Sequence, residues 1–324
     1  MQAIEIDGKG GPEVLRMVER PAPQPRAGEV QIAVTAAGVN GADLAQRRGV
    51  YPPPEGASDL PGLEVSGTIS ALGADVSGFA VGDRVCALLE GGGYAQYCTV
   101  PAGQVLPVPD SMDLVASAGI VETTATVWSN IFEIGKLKKG ETLLVHGGGS
   151  GIGTTAIQLG KLFGARVFVT CQNEEKAQRC VQLGAERAIN YRREDFAEIL
   201  RSEGGADVIL DIIGGPYLEN NIKALKRGGR LVFIAFGQGR NGTLDIARVM
   251  MNGLTVTGST LRARPIAEKA RLVSELRKHV WPHLTNGGFV PVIDQVFSMA
   301  DAAKAHEHME ASRHFGKIVL KMPA

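Results

Sequence analysis

Apolar and polar positions along the 324-residue chain change rhythm twice. Up to Val121 the apolar runs are short and are cut by Gly or Pro: VQIAVTAAGV (30–39), EVSGTISALG (64–73), DRVCALL (83–89) and YAQYCTVP (94–101). Such runs predict strands joined by turns, and therefore a β-rich, barrel-like unit. From Glu141 strand and helix patterns alternate. TLLVHG predicts a buried strand, and GIGTTAIQLGKLFG a helix with Ile152, Ala156, Leu159 and Phe163 at helical spacing. ARVFVT, RAINY, DVILDI, RLVFIAFG and LTVTGST predict five more strands; EEKAQRCVQLG, EDFAEILRSEG and YLENNIKALKRGG predict helices among them. Alternation with short connections is the signature of a parallel, doubly wound α/β sheet. After Pro265 the pattern predicts a long helix over 266–285, a strand (VIDQVF), a helix (MADAAKAHEHMEAS) and a last strand (GKIVLKM). This ending resembles the first region more than the middle. The simplest layout inserts a Rossmann nucleotide-binding domain (123–264) into a β-rich domain made of 1–122 and 265–324.

Charge and composition narrow the function. Lys plus Arg equals Asp plus Glu, 34 against 34, so no global field draws nucleic acid or a membrane surface. No apolar run approaches the roughly 18 residues of a membrane helix, and the N-terminus lacks a signal-peptide pattern. Cys86, Cys98, Cys171 and Cys180 form no C-x-x-C pair. Four free thiols are expected, in a reducing, cytoplasmic setting.

The chemistry concentrates in HGGGSGIG, which holds five glycines between Gly147 and Gly153. A phosphate P-loop needs a Lys after its last Gly, but Thr154 stands there. A nucleophile elbow needs G-x-S-x-G, but Ile152 replaces the last Gly. The dinucleotide turn G-x-G-x-x-G fits from Gly148 through Gly149, Ser150, Gly151 and Ile152 to Gly153, with Ser150 in the middle glycine's place. Gly148 permits the tight turn, small Ser150 lets a pyrophosphate approach, and Gly153 lets helix and strand pack. The amides of Ser150, Gly151 and Ile152 are expected to face the phosphates at the helix N-terminus. NAD sites place an acid about 20 residues on, at the end of the next strand. Here Cys171 and Gln172 occupy that end. Lys176 and Tyr191 are placed to meet a 2′-phosphate, so NADPH is expected over NADH.

Further stretches accumulate in order: AAGVNGADLAQRRGVYPPP, LPGLEVSGTISALGADVSGFAVGDRV, GGGYAQY, DIIGG and HMEASRHFGKIVL. With the glycine turn they resemble the zinc-free quinone oxidoreductase branch of the medium-chain dehydrogenases/reductases, over essentially the whole chain. The resemblance implies a GroES-like substrate domain, NADPH in the cleft beside the Rossmann domain, and hydride transfer to quinones. It also implies a homodimer joined along Rossmann edge strands, here LTVTGST. Zinc-dependent relatives place Cys where this chain has Asn40 and His where it has Leu63, ahead of Glu64. Neither Asn nor Leu offers the thiolate or imidazole that zinc prefers, so no metal is expected. His306 and His308 are expected at the surface.

By the same resemblance Asn40, Asp43 and Tyr51 form the catalytic end. Asn40 would donate an amide hydrogen bond, Tyr51 would bond cofactor or substrate oxygen, and Asp43 would orient them or cap a helix. A second tyrosine of some relatives is replaced by Ala45. Besides Asn40 and Tyr51, the implied cofactor positions are Thr126, Gly149, Ser150, Gly151, Ile152, Gln172, Lys176, Tyr191, Ile213, Gly214, Phe236, Gly237, Leu261, Phe315 and Lys317. Several follow strand ends, where doubly wound sheets bind ligands. The expected function is NADPH:quinone reduction by one or two electrons. Reduction of activated carbon–carbon double bonds is the sibling alternative. An NADPH-holding structural or RNA-associated protein is the alternative of another class; the neutral charge argues against an RNA role.

Overall fold

The computed structural model describes residues 1–323. By internal contacts the chain forms two compact units, Met1–Ala125 with Leu261–Ala324, and Thr126–Thr260.

The first unit opens with a hairpin of β1 (Gln2–Ile6) and β2 (Leu15–Glu19). Its main sheet is built on β3 (Glu29–Val39), a long strand whose burial leaves few exposed positions. Helix α1 (Gly41–Arg47) follows directly, then β4 (Glu64–Leu72), β5 (Arg84–Leu88), β6 (Tyr97–Pro101) and β7 (Val105–Pro107). Helices α2 (Leu114–Ser117) and α3 (Val121–Val127) lead to the second unit.

That unit begins with a π-helical stretch, Trp128–Ile134, and then runs β8 (Thr142–His146), α4 (Gly151–Leu162), β9 (Arg166–Cys171), α5 (Glu174–Leu183) and β10 (Arg187–Asn190). The second half runs α6 (Phe196–Ser202), β11 (Ala206–Asp211), α7 (Leu218–Ala224), β12 (Leu225–Phe233), α8 (Ile246–Asn252) and β13 (Thr255–Gly258). All its strand pairs are parallel, in the order β10-β9-β8-β11-β12-β13. Numbered within the unit this is 3-2-1-4-5-6, the doubly wound dinucleotide-binding topology. β8 and β11 are buried at every position, as central parallel strands covered by helices on both faces must be. Leu144, Phe168, Ile209 and Leu231 carry their side chains into one core with Phe196, Leu200 and Ile222 from the helices.

The chain then returns to the first unit through α9 (Ile266–His279), α10 (Trp281–Thr285), β14 (Ile293–Ser298), α11 (Ala302–Glu310) and β15 (Lys317–Lys321). The helix expected over 266–285 is two helices. Pro282 near the start of α10 cannot continue a preceding helix, and the chain restarts there. β15 pairs antiparallel with β3 over Ala36 to Val39 and β6 over Glu29 to Ala33, while β4 pairs with it over Val30 to Ala37. The sheet therefore runs β14-β15-β3-β4-β5-β7, with β6 on β3. Its core gathers Val30, Ile32, Val39, Val65, Val85 and Ile318.

Candidate functional site

In the second unit the turn after β8 is shaped by its small residues. A Cβ at Gly148 would lie 2.6 Å from Val169 Cγ2, and one at Gly153 2.3 Å from the Gly147 carbonyl oxygen. Ser150 is the N-cap of α4. Its Oγ accepts from the Gly153 amide at 3.0 Å and donates to the Gly147 carbonyl at 2.7 Å. Its own amide donates to the Gly147 carbonyl at 2.9 Å. The expectation that this amide faces a phosphate is thus corrected: it closes the turn. A helix start leaves its first amides without acceptors inside the helix, so Gly151 and Ile152 present theirs outward at the positive end of α4. With Gly149 at the bend, the turn fits a pyrophosphate.

Beneath the turn lies a buried polar cluster that the sequence reading missed. Asn221 donates to Asp211 Oδ2 at 2.5 Å and so offers its own oxygen to His146 Nε2, 2.7 Å away. His146 Nε2 therefore carries the proton, and Nδ1 accepts from the Thr170 hydroxyl at 3.0 Å. Thr170 Oγ1 in turn accepts from the Gly147 amide at 3.3 Å. Burial holds the imidazole neutral by pushing its pKa down. Asp211 Oδ1 accepts from the Ile213 and Gly214 amides at 2.5 and 2.8 Å. Two loops at the carboxyl ends of the sheet are thereby tied to one cluster.

Of the other expected cofactor positions of this unit, Gln172, Tyr191, Phe236 and Gly237 come after strand ends, whereas Lys176 and Thr126 lie in helices. Gln172 is half-buried just beyond β9, Lys176 sits in the first turn of α5, and Tyr191 is exposed just beyond β10. Phe236 is exposed after β12 under the Arg240 guanidinium, and the Gly237 amide donates to the Ile212 carbonyl. Thr126 is buried, and its carbonyl accepts from Asn130 Nδ2 at 2.8 Å.

In the first unit strand register assembles a charged cluster. Ile318 of β15 lies opposite Val39 of β3, which sets Lys317 beside Asn40. Ala37 lies opposite Val65 of β4, which sets Glu64 beside Gly38. Gly38 must be small, because a Cβ there would lie 2.3 Å from Glu64 Oε1. The Lys317 ammonium donates to the Val39 carbonyl at 2.9 Å and to Asn40 Oδ1 at 2.5 Å, and pairs with Glu64 Oε1 at 2.8 Å. Asn40 Nδ2 donates to Glu64 Oε1 at 3.1 Å and to the Gly38 carbonyl at 3.3 Å. Two expectations are corrected here. The Asn40 amide is spent inside this cluster rather than offered to a substrate, and Lys317 is buried in it rather than closing on a cofactor. Phe315, expected to act with Lys317, is buried, and its amide donates to Asp294 Oδ1 at 2.8 Å.

Asp43 is fully buried and belongs to a capping box at the start of α1. It accepts from the Asn40 amide at 2.8 Å, the Gly62 amide at 3.0 Å and the Tyr94 hydroxyl at 3.3 Å. The geometry is that of the helix-capping role, not of a group turned toward a substrate. Burial raises its carboxyl to about 6, against the pull of those amides and of Lys317 and Arg262.

His306, expected at the surface, is fully buried. Arg47 Nη1 donates to its Nδ1 at 3.4 Å, so Nε2 carries the proton and donates to the Tyr94 hydroxyl at 3.1 Å. A directed chain runs Arg47, His306, Tyr94, Asp43, with Glu310 pairing Arg47 at its outer end. Burial and the Arg47 and Arg48 charges push the imidazole down to about 3. His308 is part-buried and bonds Asp294 at 2.8 Å. Tyr51 lies under the Arg262 guanidinium, and Leu261 is buried beside it in sequence.

Two family descriptions match the chain: an alcohol dehydrogenase GroES-like domain over residues 26–110 and a zinc-binding dehydrogenase over residues 151–277. Across 99% of its length the chain is 31% identical to the quinone oxidoreductase of Sus scrofa, covering 97% of that protein. The chain belongs to the medium-chain dehydrogenase/reductase superfamily. It is also 30% identical, over 99% of its length, to part of a phenolphthiocerol/phthiocerol polyketide synthase polypeptide of Mycobacterium tuberculosis. The chain spans only 15% of that longer protein. Among solved structures, an NAD-dependent alcohol dehydrogenase is 33% identical with a TM-score of 0.88, over 100% of both chains. The Escherichia coli quinone oxidoreductase complexed with NADPH is 27% identical with a TM-score of 0.89, over 99% and 100%. The CurK enoyl reductase is 26% identical with a TM-score of 0.86, over 99% of each.

The zinc in the family description does not fit these residues. Asn40 and Glu64 share a resident ammonium, and Leu63 has no donor atom. Among the described residues no group of three or more His, Cys, Asp or Glu side chains is placed to hold a metal ion. The four cysteines are buried free thiols. Burial raises all four thiols, so none is a ready thiolate ligand. No helix among the described residues is long and apolar enough to cross a membrane.

Proposed function

We propose that this medium-chain reductase reduces quinones with NADPH and without a metal ion. One observation carries the metal-free part: the Lys317 ammonium, bonded to Asn40 and Glu64, holds the positive charge where zinc-dependent relatives hold a cation. A quinone is already electrophilic and needs no Lewis acid, whereas an alcohol does. The cofactor is NADPH. When bound it supplies a hydride, and the protein supplies binding and orientation. The Ser150-closed turn and the α4 amides seat the pyrophosphate. Gln172 in place of an acid, with Lys176 and Tyr191 near it in the fold, favours the 2′-phosphate. The likeness to quinone oxidoreductases supports the substrate class.

The likeness to an enoyl reductase favours a second reading, reduction of an activated carbon–carbon double bond. The deciding experiment follows NADPH oxidation with quinones, alkenals and enoyl thioesters, with NADH as control and with a chelator added. Turnover of quinones alone, unaffected by the chelator, is expected. Turnover of thioesters alone selects the second reading, preference for NADH refutes the roles of Lys176 and Tyr191, and stoichiometric zinc refutes metal independence.

The edge strand β13 and helix α8 carry exposed Ile246, Met250, Met251 and Val256. Apolar exposure along an unpaired sheet edge supports a homodimer joined there. Light scattering should give twice the chain mass, and Val256→Lys should reduce it to one.

A further inference from the structure

Apart from the clusters described so far, the first unit carries a hollow of about 430 Å³, lined by Lys9, Gly10, Gly11, Arg47, Arg48 and Glu310. Small-molecule sites run from about 300 to 1,000 Å³. Stretches far apart in sequence meet there: the loop after β1, the end of α1 and the end of α11. Reciprocal bonds pin the loop to α1. The Gly10 amide donates to the Arg47 carbonyl at 3.2 Å, and Arg47 Nε donates to the Gly10 carbonyl at 3.1 Å. The Lys9 stem crosses Gly49, where a Cβ would stand 2.5 Å from Lys9 Cδ. Gly49 also has a φ of +73°, so the position suits glycine on both counts.

The charges lining the hollow do not balance. Lys9, Arg47 and Arg48 bring three cations against the single carboxylate of Glu310, a surplus of two. Both guanidinium groups lean on the same Glu310 oxygen, Oε1: Arg47 through its Nη2, and Arg48 through its own Nη2 at 2.5 Å. The Lys9 ammonium has no hydrogen bond or ion pair among the described residues. Glu13 spends a carboxylate oxygen on the Gly11 amide at 2.9 Å, and it does not line the hollow. Arg47 is only 1% exposed, so its charge is screened much less than a surface charge.

We propose that this hollow binds a small phosphomonoester as its dianion. Near neutral pH such a group carries about −1.5 to −2 charges and offers three strong acceptor oxygens, which matches the surplus. A carboxylate or a phosphodiester brings one negative charge and leaves half of the surplus unmatched. Lys9 and Arg48 are exposed and can swing onto the phosphate, and a guanidinium fork meets two phosphate oxygens at once. Arg47 stays pinned to Gly10 and shares its Nη2 between Glu310 and the ester. Its Nη1 donates to His306 Nδ1 at 3.4 Å, so an anion held by Arg47 is felt at that imidazole. The site is independent of the reductase reading, because it uses none of the residues assigned to cofactor or substrate.

Titrating the full chain with glycerol 2-phosphate at pH about 7.5, with sodium chloride holding the ionic strength constant, tests this. The readout is the His306 ring signal in NMR, assigned by its loss in His306→Gln. A saturable shift of that signal is expected in the parent. Lys9→Ala and Arg48→Ala should each weaken binding at least about 3-fold, and the double variant about 10-fold, as for partly exposed ion pairs. Glu310→Gln removes the competing carboxylate and should tighten binding about 3-fold, a direction that a merely structural role would not produce. Melting curves give a second readout: the ester should raise the melting temperature of the parent and raise it less in the double variant. No shift of the His306 signal up to about 10 mM ester overturns the proposal. So does equal affinity in the parent and the double variant. Tighter binding of inorganic phosphate than of the ester overturns the choice of an ester. Capture by phosphatidylcholine vesicles containing phosphatidic acid, without a response to the soluble ester, overturns the small-molecule assignment. If His306→Gln or Glu310→Gln does not fold, the Lys9 and Arg48 variants decide through the melting curves.

Discussion

Removing the Lys317 ammonium should cost much more than an ordinary surface lysine. In Lys317→Met the stem volume is nearly kept, but Glu64, fully buried, loses its counter-charge. The Glu64 carboxylate would retain the Asn40 amide at 3.1 Å and the Glu122 backbone amide at 3.0 Å. Two neutral donors do not replace a contact ammonium in a dry site. Breaking one side of a buried pair costs about 3–5 kcal/mol. At about 2–4 °C per kcal/mol for a domain of this size, the melting temperature should fall by about 6–20 °C. A second substitution decides whether charge is the cause. Glu64→Gln alone should also destabilise, because it strands the ammonium. Glu64→Gln with Lys317→Met removes both charges, and the pair should cost less than the sum of the singles by about 2 kcal/mol or more. Thermal and urea melts of the four proteins measure this directly. Additive singles, or a Lys317→Met melt within about 2 °C of the parent, would refute the reasoning and reopen Asn40 and Glu64 as candidate ligands for an added cation.

Ser150→Ala removes both the helix cap and the turn closure, so stability should drop by about 0.5–2 kcal/mol and the NADPH Kd should rise; unchanged affinity in a titration contradicts the pyrophosphate seat. His306 has its folded pKa depressed to about 3, from about 6.5 when unfolded. Its contribution is full above about 6.5 and is lost as pH falls toward 3, so His306→Gln should flatten that part of the stability profile in urea melts. Asp43 behaves oppositely. Its folded pKa is raised to about 6, so its stabilising share is full below about 4 and is lost as pH rises through 6. Relative to Asp43→Asn, the parent should therefore lose stability between pH about 4 and 6; a constant difference across that window contradicts a raised carboxyl.

Much of the fold was legible because it rests on local signals. β8 and β11 carry the apolar runs Leu143–Val145 and Val208–Leu210 at their centres, and Ser150 with its glycines marks a helix start on its own. The first unit's chemistry was less legible, because it is made by long-range register. Asn40 meets Glu64 across 24 residues and Lys317 across 277. No window of sequence joins them, so the donor role expected for Asn40 came from the family resemblance and not from its own neighbours. His306 was misplaced for the same reason. On its helix it alternates with charged neighbours, and only Tyr94 and Arg47, 212 and 259 residues away, make it a core group. The break before α10 was readable, since Pro282 stands inside the expected helix.

The cluster of His146, Thr170, Asn221 and Asp211 has a consequence for how such a protein can diverge. All four side chains are buried, and together they hold Gly147 of one loop and Ile213 and Gly214 of another. A change in any member disturbs both loops at once, so this part of the nucleotide seat is inherited or lost as a block. Gln172, Lys176 and Tyr191 occupy half-buried or exposed positions instead. On the roles proposed above for these three residues, cofactor preference can change by single substitutions while the buried cluster stays fixed.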